Sequence, residues 1–167
     1  MAATTIQGIE IKVADEVFIA TALLQREYPE RSDFTVGEIV ERAQQEHLSP
    51  VIRPGVRVHA SQHCVANRPP NPGRYRMLYA TGTGTRRLLN ADDDIYPGRD
   101  GKIFPSPGEV PTRYKELIDW AKQRYGVEAR EKGRKFSGLL ALRGAGKKYA
   151  GPETPDEYVS RLREGWD

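Results

Sequence analysis

The stretch Tyr75-Arg76-Met77-Leu78-Tyr79-Ala80-Thr81-Gly82-Thr83-Gly84-Thr85-Arg86-Arg87-Leu88-Leu89 reads as two short strands, Tyr75–Ala80 and Thr85–Leu89, around a Thr-Gly-Thr-Gly turn. Apolar, aromatic and β-branched residues fill both flanks, and the glycines offer positive φ angles at the turn. Helical patterns lead up to it. From Ala14 to about Tyr28 the residues Val17, Ala20, Leu23 and Leu24 recur at helical spacing, and Pro29 closes the segment. Thr35 and Glu38 then form a capping box, with Phe34 and Ile39 at the two positions of a hydrophobic staple. Ile39, Val40 and Ala43 carry that apolar face to about His47. A third helix is expected from near Pro54, which suits a first helical position. Its inward candidates are Val56, Ala60, Cys64 and His63, with Arg57 and Ser61 on the opposite side.

Helix, helix, basic helix and basic hairpin is the element order of a winged helix-turn-helix module. The expected fold class is therefore α+β, a winged helix-turn-helix domain with an added C-terminal helix and an extended, partly helical tail. In such a module one helix enters a major groove while the hairpin reaches along the backbone. Ile6, Ile9, Ile11 and Val13 suggest a leading strand or extended arm. The span Asn67–Gly73, with three prolines, and the turn-rich span Asp92–Gly108 are expected to be irregular. Helix returns over Val110–Tyr125, with Tyr114, Leu117, Ile118, Ala121 and Tyr125 on one face and Gly126 as its stop. The expected organisation is a domain over 1–104, a helix over 105–126 packed on it, and a tail over 127–167.

Charge gives the first indication of a partner. The formal net charge is only +3, yet His47–Ala91 contains no Asp or Glu while holding seven arginines and all three histidines. A single-sign surface of this kind suits a polyanion, most readily double-stranded DNA. The candidate DNA-binding residues are Arg53, Arg57, Ser61, Arg68, Arg74, Arg76, Arg86 and Arg87. Arg57 and Ser61 are placed to read base edges, Arg86 and Arg87 to touch backbone or minor groove.

Other chemistries find less support. His59 and His63 have ligand spacing on a helix, but His47 is the only other histidine, and structural zinc normally takes four protein ligands. Cys64 reads as a small core residue, and a single cysteine fits a reducing cytoplasm. Asp92, Asp93, Asp94 and Asp100 admit a weaker reading as part of a metal-dependent nuclease, without a Glu/Lys constellation to complete a site. Gly144-Ala-Gly-Lys147 lacks the first glycine and the Ser/Thr of a phosphate loop. No catalytic residues, metal or cofactor are expected. No stretch approaches eighteen apolar residues and the first twelve lack a signal-peptide pattern, so a cytoplasmic protein without membrane contact is expected.

The tail differs in character. Arg130–Lys148 holds seven bases, one acid and four glycines around the apolar run Leu139-Leu140-Ala141-Leu142. Thr154, Pro155 and Glu157 then mark a short helix on which Tyr158, Leu162 and Trp166 lie four residues apart. A Tyr/Leu/Trp stripe beyond a basic, glycine-bearing linker calls for a cover, either the chain's own domain, a second copy or another protein.

Two resemblances extend these readings. The run Arg57-Val-His-Ala-Ser-Gln-His-Cys-Val-Ala-Asn67, followed by Pro69-Pro-Asn-Pro-Gly-Arg-Tyr75 and Leu78-Tyr-Ala-Thr-Gly82, resembles a small family of bacterial winged-helix domains in defence-associated proteins. Arg57, Ser61, Cys64, Asn67, Tyr75, Gly82, Gly84, Arg87 and Leu88 fit that pattern, and the likeness covers residues 14–104. Leu142-Arg-Gly-Ala-Gly-Lys147 with Asp156–Asp167 is similar to the C-terminal toxin-binding segment of VapB-type antitoxins. That resemblance implies a type II antitoxin whose tail inhibits a cognate ribonuclease toxin of PIN type. Arg161 and Arg163 match the basic positions of such a tail and Trp166 its aromatic anchor. Leu139, Leu142, Arg143, Tyr158, Arg161, Leu162, Arg163 and Trp166 are the partner-binding candidates. Together these imply a non-enzymatic homodimer that binds operator DNA. A winged helix in place of the small swapped barrel or ribbon-helix-helix domain usual in that family is a departure. The alternative is a stand-alone DNA-binding transcriptional regulator or defence-system accessory protein.

Overall fold

A computed structural model describes residues 10–51 and 53–126. The tail candidates Leu139, Leu142, Arg143, Tyr158, Arg161, Leu162, Arg163 and Trp166 lie outside the described residues, as do Ile6 and Ile9.

Helix α1 spans Val13–Glu27, and every residue from Ala14 to Gln25 is buried. The apolar stripe marks only part of that burial, because α1 is the central element, packed by helices on several sides and by the sheet. Its polar residues survive burial by pairing. Asp15 and Glu16 meet Lys102 and Arg53, Thr21 donates its hydroxyl to the Val17 carbonyl at 2.9 Å, and the Gln25 Oε1 accepts from the Leu88 amide at 2.7 Å. Each such group would otherwise carry a desolvation cost of about 1–3 kcal/mol.

Strand β1 is only Phe34–Thr35, and helix α2, Val36–Gln45, starts directly from it. The capping box forms as the sequence indicates. The Glu38 amide donates to Thr35 Oγ1 at 3.2 Å, and the Thr35 amide donates to Glu38 Oε2 at 2.8 Å. Phe34 and Ile39, the staple pair, are both fully buried. Arg31 adds a two-pronged contact to the Glu38 carboxylate at 2.7 and 3.1 Å. The Arg31 bonds, and after them the Thr35 amide, hold the Glu38 carboxyl down at about 2. Because the folded pKa lies below the ordinary value of 4.5, this stabilisation is complete above pH 4.5 and is lost as pH falls towards 2. Glu38→Gln is expected to flatten the acid limb of a stability-versus-pH curve measured by urea unfolding. Thr35→Ala is expected to cost about 0.5–2 kcal/mol at neutral pH.

Helix α3, Gly55–Val58, runs without a break into one wide turn, His59–His63. The hairpin follows as β2, Leu78–Ala80, and β3, Thr85–Leu88. The sheet is antiparallel in the order β1-β3-β2, with Phe34 opposite Arg86, Thr35 opposite Thr85, and Leu78 opposite Leu88. The turn glycines do not use positive φ; among described glycines only Gly98 and Gly126 do. At Gly82 a Cβ would sit 2.9 Å from Thr85 Oγ1, so that hydroxyl would have to shift to admit one.

Side-chain amides continue the sheet where its strands stop. The Leu88 amide points beyond the short β1 and donates to Gln25. On the outer side of β2, the Cys64 carbonyl takes the Leu78 amide at 2.9 Å and the Ala66 amide donates to the Leu78 carbonyl at 2.7 Å. The Asn67 side chain then imitates a peptide group, donating to the Ala80 carbonyl at 3.0 Å and accepting from the Ala80 amide at 2.9 Å. This pairing gives the Cys-Val-Ala-Asn run at 64–67 a structural reason.

Two single turns, Pro107–Glu109 and Thr112–Tyr114, lead into α4, Lys115–Tyr125. The helix thus begins later than the pattern suggests, because Val110, the residue before Pro111, is held extended at ψ 152° and the chain makes a tighter turn before α4. Gly126 ends α4 at φ 58°, as its position predicts. Tyr114, Leu117, Ile118 and Ala121 join Phe18, Ile19, Phe34, Ile39 and Leu88 in the main core. A smaller core of Ala66, Leu89 and Ile103 lies under the 91–104 loop.

Candidate nucleic-acid interface

The site is built on the segment from Gly55 to Cys64. Val56, Ala60 and Cys64 point inward at 4, 0 and 0% exposure, Arg57 is exposed, and Ser61 and His63 are half-buried. The wide turn closes with the Cys64 amide donating five residues back, to the His59 carbonyl, at 2.9 Å. Such a turn is not legible in side-chain spacing, and it often accompanies functional positions.

A helix leaves its last four carbonyls without intrahelical partners and its C-terminus partially negative. Here two buried guanidinium groups take all four. Arg86 donates to the carbonyls of Ala60 and Ser61, each at 3.2 Å, and to Gly82 and Thr85 at 3.1 and 2.7 Å. Arg99 donates to Gln62 at 2.9 Å and His63 at 2.7 Å, and also to Arg68, Tyr75 and Pro69 at 2.9, 3.0 and 3.1 Å. The five bonds of Arg99 match the five N–H groups that a guanidinium carries. None of these contacts is to a carboxylate. Burial, followed by the nearby charge of Arg68, lowers the Arg86 pKa to about 10, so it stays cationic at neutral pH. Burial lowers that of Arg99 in the same direction.

The other candidates separate by their partners. Arg53 is tied to the Glu16 carboxylate and to the Ile11 carbonyl, and Arg76 Nε donates to the Gly101 carbonyl at 2.7 Å. Arg87 grips Asp93 with two bonds at 2.6 and 2.7 Å and lies 4.6 Å from the centre of the Tyr79 ring. Arg86 faces inward at 1% exposure, and Arg87 turns to the other face of β3. Alternation along a strand requires neighbouring side chains to point to opposite faces. Arg74 is exposed and 3.6 Å from Asp100, Arg57 is exposed, and Arg68 is half-buried. The Ser61 hydroxyl donates back to the Arg57 carbonyl at 2.8 Å. The structure therefore brings Arg57, Ser61, Arg68 and Arg74 to the surface around the wide turn. It uses Arg53, Arg76, Arg86 and Arg87 as internal ties.

Two residues at this site escape a reading by charge block. Gln62 is exposed on the same turn and accepts from Asn71 at 2.9 Å. Arg99 lies eight residues past the acid-free span, among aspartates that suggest an ordinary ion pair. Arg99 and two glycines fix the proline-rich loop. A Cβ on Gly73 would come 2.5 Å from His63 Cβ, and one on Gly101 would come 2.5 Å from the Arg74 carbonyl oxygen.

The His59 and His63 rings meet edge to face with centres 4.7 Å apart, and His59 Nδ1 lies 2.9 Å from the Gly55 carbonyl. Burial lowers the His59 pKa. Burial also raises that of the Cys64 thiol, which keeps it protonated and unreactive. Among the described residues no group of three or more His, Cys, Asp and Glu side chains is arranged to hold a metal. Asp93 is taken by Arg87 and by the Asn90 amide at 2.7 Å. No helix among the described residues is long and apolar enough to cross a membrane.

Among the described residues these features define a mixed α+β fold of four helices, with a small three-stranded antiparallel sheet and a basic helix-turn surface. No family model, curated protein or solved structure matches the chain.

Proposed function

We propose that this chain is a DNA-binding protein of winged helix-turn-helix type, with α3 and its wide turn as the recognition element. The observation that carries this reading is the basic surface of Arg57, Arg68 and Arg74 around the wide turn, where Asp100 lies 3.6 Å from Arg74, backed by two buried guanidinium groups with no carboxylate partner among the described residues. Positive charge left uncompensated beneath a basic surface strengthens its field towards a polyanion. The element order, with β1 pairing the second hairpin strand, supports the winged arrangement. Arg57 and Gln62 are assigned to base edges, Arg68 and Arg74 to phosphates. A homodimer would match two half-sites on one duplex.

The test is duplex binding by the full chain, followed by fluorescence anisotropy at several salt concentrations. Arg57→Glu is expected to weaken binding by about 1–3 kcal/mol, roughly fivefold to 150-fold, with the melting temperature unchanged. Unchanged affinity in that variant overturns the assignment of the recognition helix.

The tail sequence adds the antitoxin role to this reading. In it, the segment from about Arg130 covers the acidic site of a cognate ribonuclease, with Tyr158, Leu162 and Trp166 as anchors. A pulldown from host lysate with the full chain, beside a copy ending at Gly126, separates the two roles. A ribonuclease held only by the full chain establishes the antitoxin. DNA held by both copies, with no tail-dependent protein, leaves a plain DNA-binding regulator.

A further inference from the structure

On the far face of the sheet from the recognition turn lies a groove of about 500 Å³ with a different composition. The alternation along β3 fixes that placement, since Arg86 reaches the carbonyls of Ala60 and Ser61 while Arg87 points the other way and lines the groove. Four arginines from four separate elements reach it, Arg26 from the last turn of α1, Arg31 from the following loop, Arg87 from β3 and Arg124 from the last turn of α4, against one carboxylate, that of Glu30 in the same loop as Arg31. Trp120 and Tyr125 line it beside them, their rings edge to face at 6.1 Å.

Two of the four cations are already engaged, Arg31 with Glu38 and Arg87 with Asp93. Arg26 and Arg124 are exposed and neither has an ion-pair partner among the described residues, Arg124 lying 6.0 Å from the centre of the Tyr125 ring. The helix dipole accounts for a basic residue in a final turn. It does not account for two such residues converging on one groove that also presents an indole and a phenol ring. A planar guanidinium fork matches a phosphate, and an aromatic wall accepts a planar ring. The volume falls within the range of small-ligand sites, roughly 300–1,000 Å³.

We infer that this groove binds a nucleoside monophosphate, with Arg26 and Arg124 on the phosphate and the base against Trp120. This inference does not depend on the DNA-binding reading, which uses the opposite face of the sheet. The same chemistry has two sources, a free nucleotide or the phosphorylated end of a single strand.

The experiment is isothermal titration of the full chain with AMP, GMP, CMP and UMP in turn, with adenosine and inorganic phosphate as partial ligands. At least one nucleotide is expected to bind more tightly than either partial ligand. The double variant Arg26→Gln/Arg124→Gln is expected to weaken it at least tenfold, while the melting temperature and duplex affinity stay as in the parent. A 5′-phosphorylated oligonucleotide binding more tightly than its mononucleotide would identify a strand end as the source, and weaker binding the free nucleotide. The inference is overturned if no mononucleotide binds at millimolar concentration, if phosphate alone binds as tightly, or if the double variant binds unchanged. Should the double variant melt early, the single variant Arg124→Gln at the exposed end of α4 carries the same test.

Discussion

Arg99→Met is expected to destabilise the domain by on the order of 3–5 kcal/mol, measured by urea unfolding at neutral pH. The side chain is 5% exposed and donates five hydrogen bonds to main-chain carbonyls. Methionine fills similar space but carries no donor, so it strands the carbonyls of His63, Arg68, Pro69 and Tyr75, while that of Gln62 keeps the Val65 amide. A small domain has about 5–15 kcal/mol of stability in all, so this single change removes a large share. Arg99→Lys keeps the charge yet offers three donors from one point, and it should recover only a minority of the loss. Equal stability of the methionine variant and the parent would show that water satisfies these carbonyls as well as the guanidinium does.

Lys102→Met should cost a similar amount, with a distinctive dependence on pH. Lys102 Nζ lies 2.7 and 2.9 Å from the two Asp15 oxygens and 2.7 Å from Glu109, which also pairs with Lys12. Asp15 is fully buried, and that burial raises its pKa above the ordinary 3.8 even with Lys102 present. Removing the ammonium leaves a buried carboxylate unpaired and raises the folded-state value further. An acid whose folded pKa exceeds its unfolded one favours the native state most below the unfolded value. That preference is lost as pH rises through the folded value. The deficit of Lys102→Met relative to the parent should therefore be largest at neutral pH and shrink as Asp15 takes up a proton. Adding Asp15→Asn should restore more than half of the stability at neutral pH and leave only the acid-range pH dependence of Glu109, whose carboxyl Lys102 also holds down at about 2 in the parent. A deficit that stays constant with pH would show that Lys102 acts through packing and not through Asp15.

The parts of this fold legible in the sequence are those written in side-chain periodicity and cap chemistry. Val17, Ala20 and Leu23 mark α1, Thr35 and Glu38 start α2, Val56, Ala60 and Cys64 give the inward face of α3, and Gly126 stops α4. The parts that escape it depend on partners distant in the chain. Strand β1 has two residues, too few for a pattern, and exists because Thr85 and Arg86 lie alongside. The wide turn at His59–His63 depends on backbone bonds that side-chain spacing does not record. Charge composition located the basic surface but could not divide it. Arg57 and Arg86 are the same residue type within one acid-free span, yet one faces solvent and the other is buried against helix carbonyls. What separates them is strand alternation and a helix end, both properties of the assembled fold.

The amide side chains of Gln25 and Asn67 have a consequence for how copies of this protein can meet. A three-stranded sheet this short would ordinarily expose rows of unpaired main-chain groups, which recruit strands from neighbouring molecules. Here the Leu88 amide beyond β1 is occupied by Gln25, and the outer edge of β2 is filled by residues 64–67 with the Asn67 amide at its end. Strand addition along either of these margins would have to displace a bond already made. Within the described residues, neither of these margins keeps the free main-chain groups that edge-to-edge pairing needs. Replacing Asn67 by a residue without an amide would reopen one of those margins.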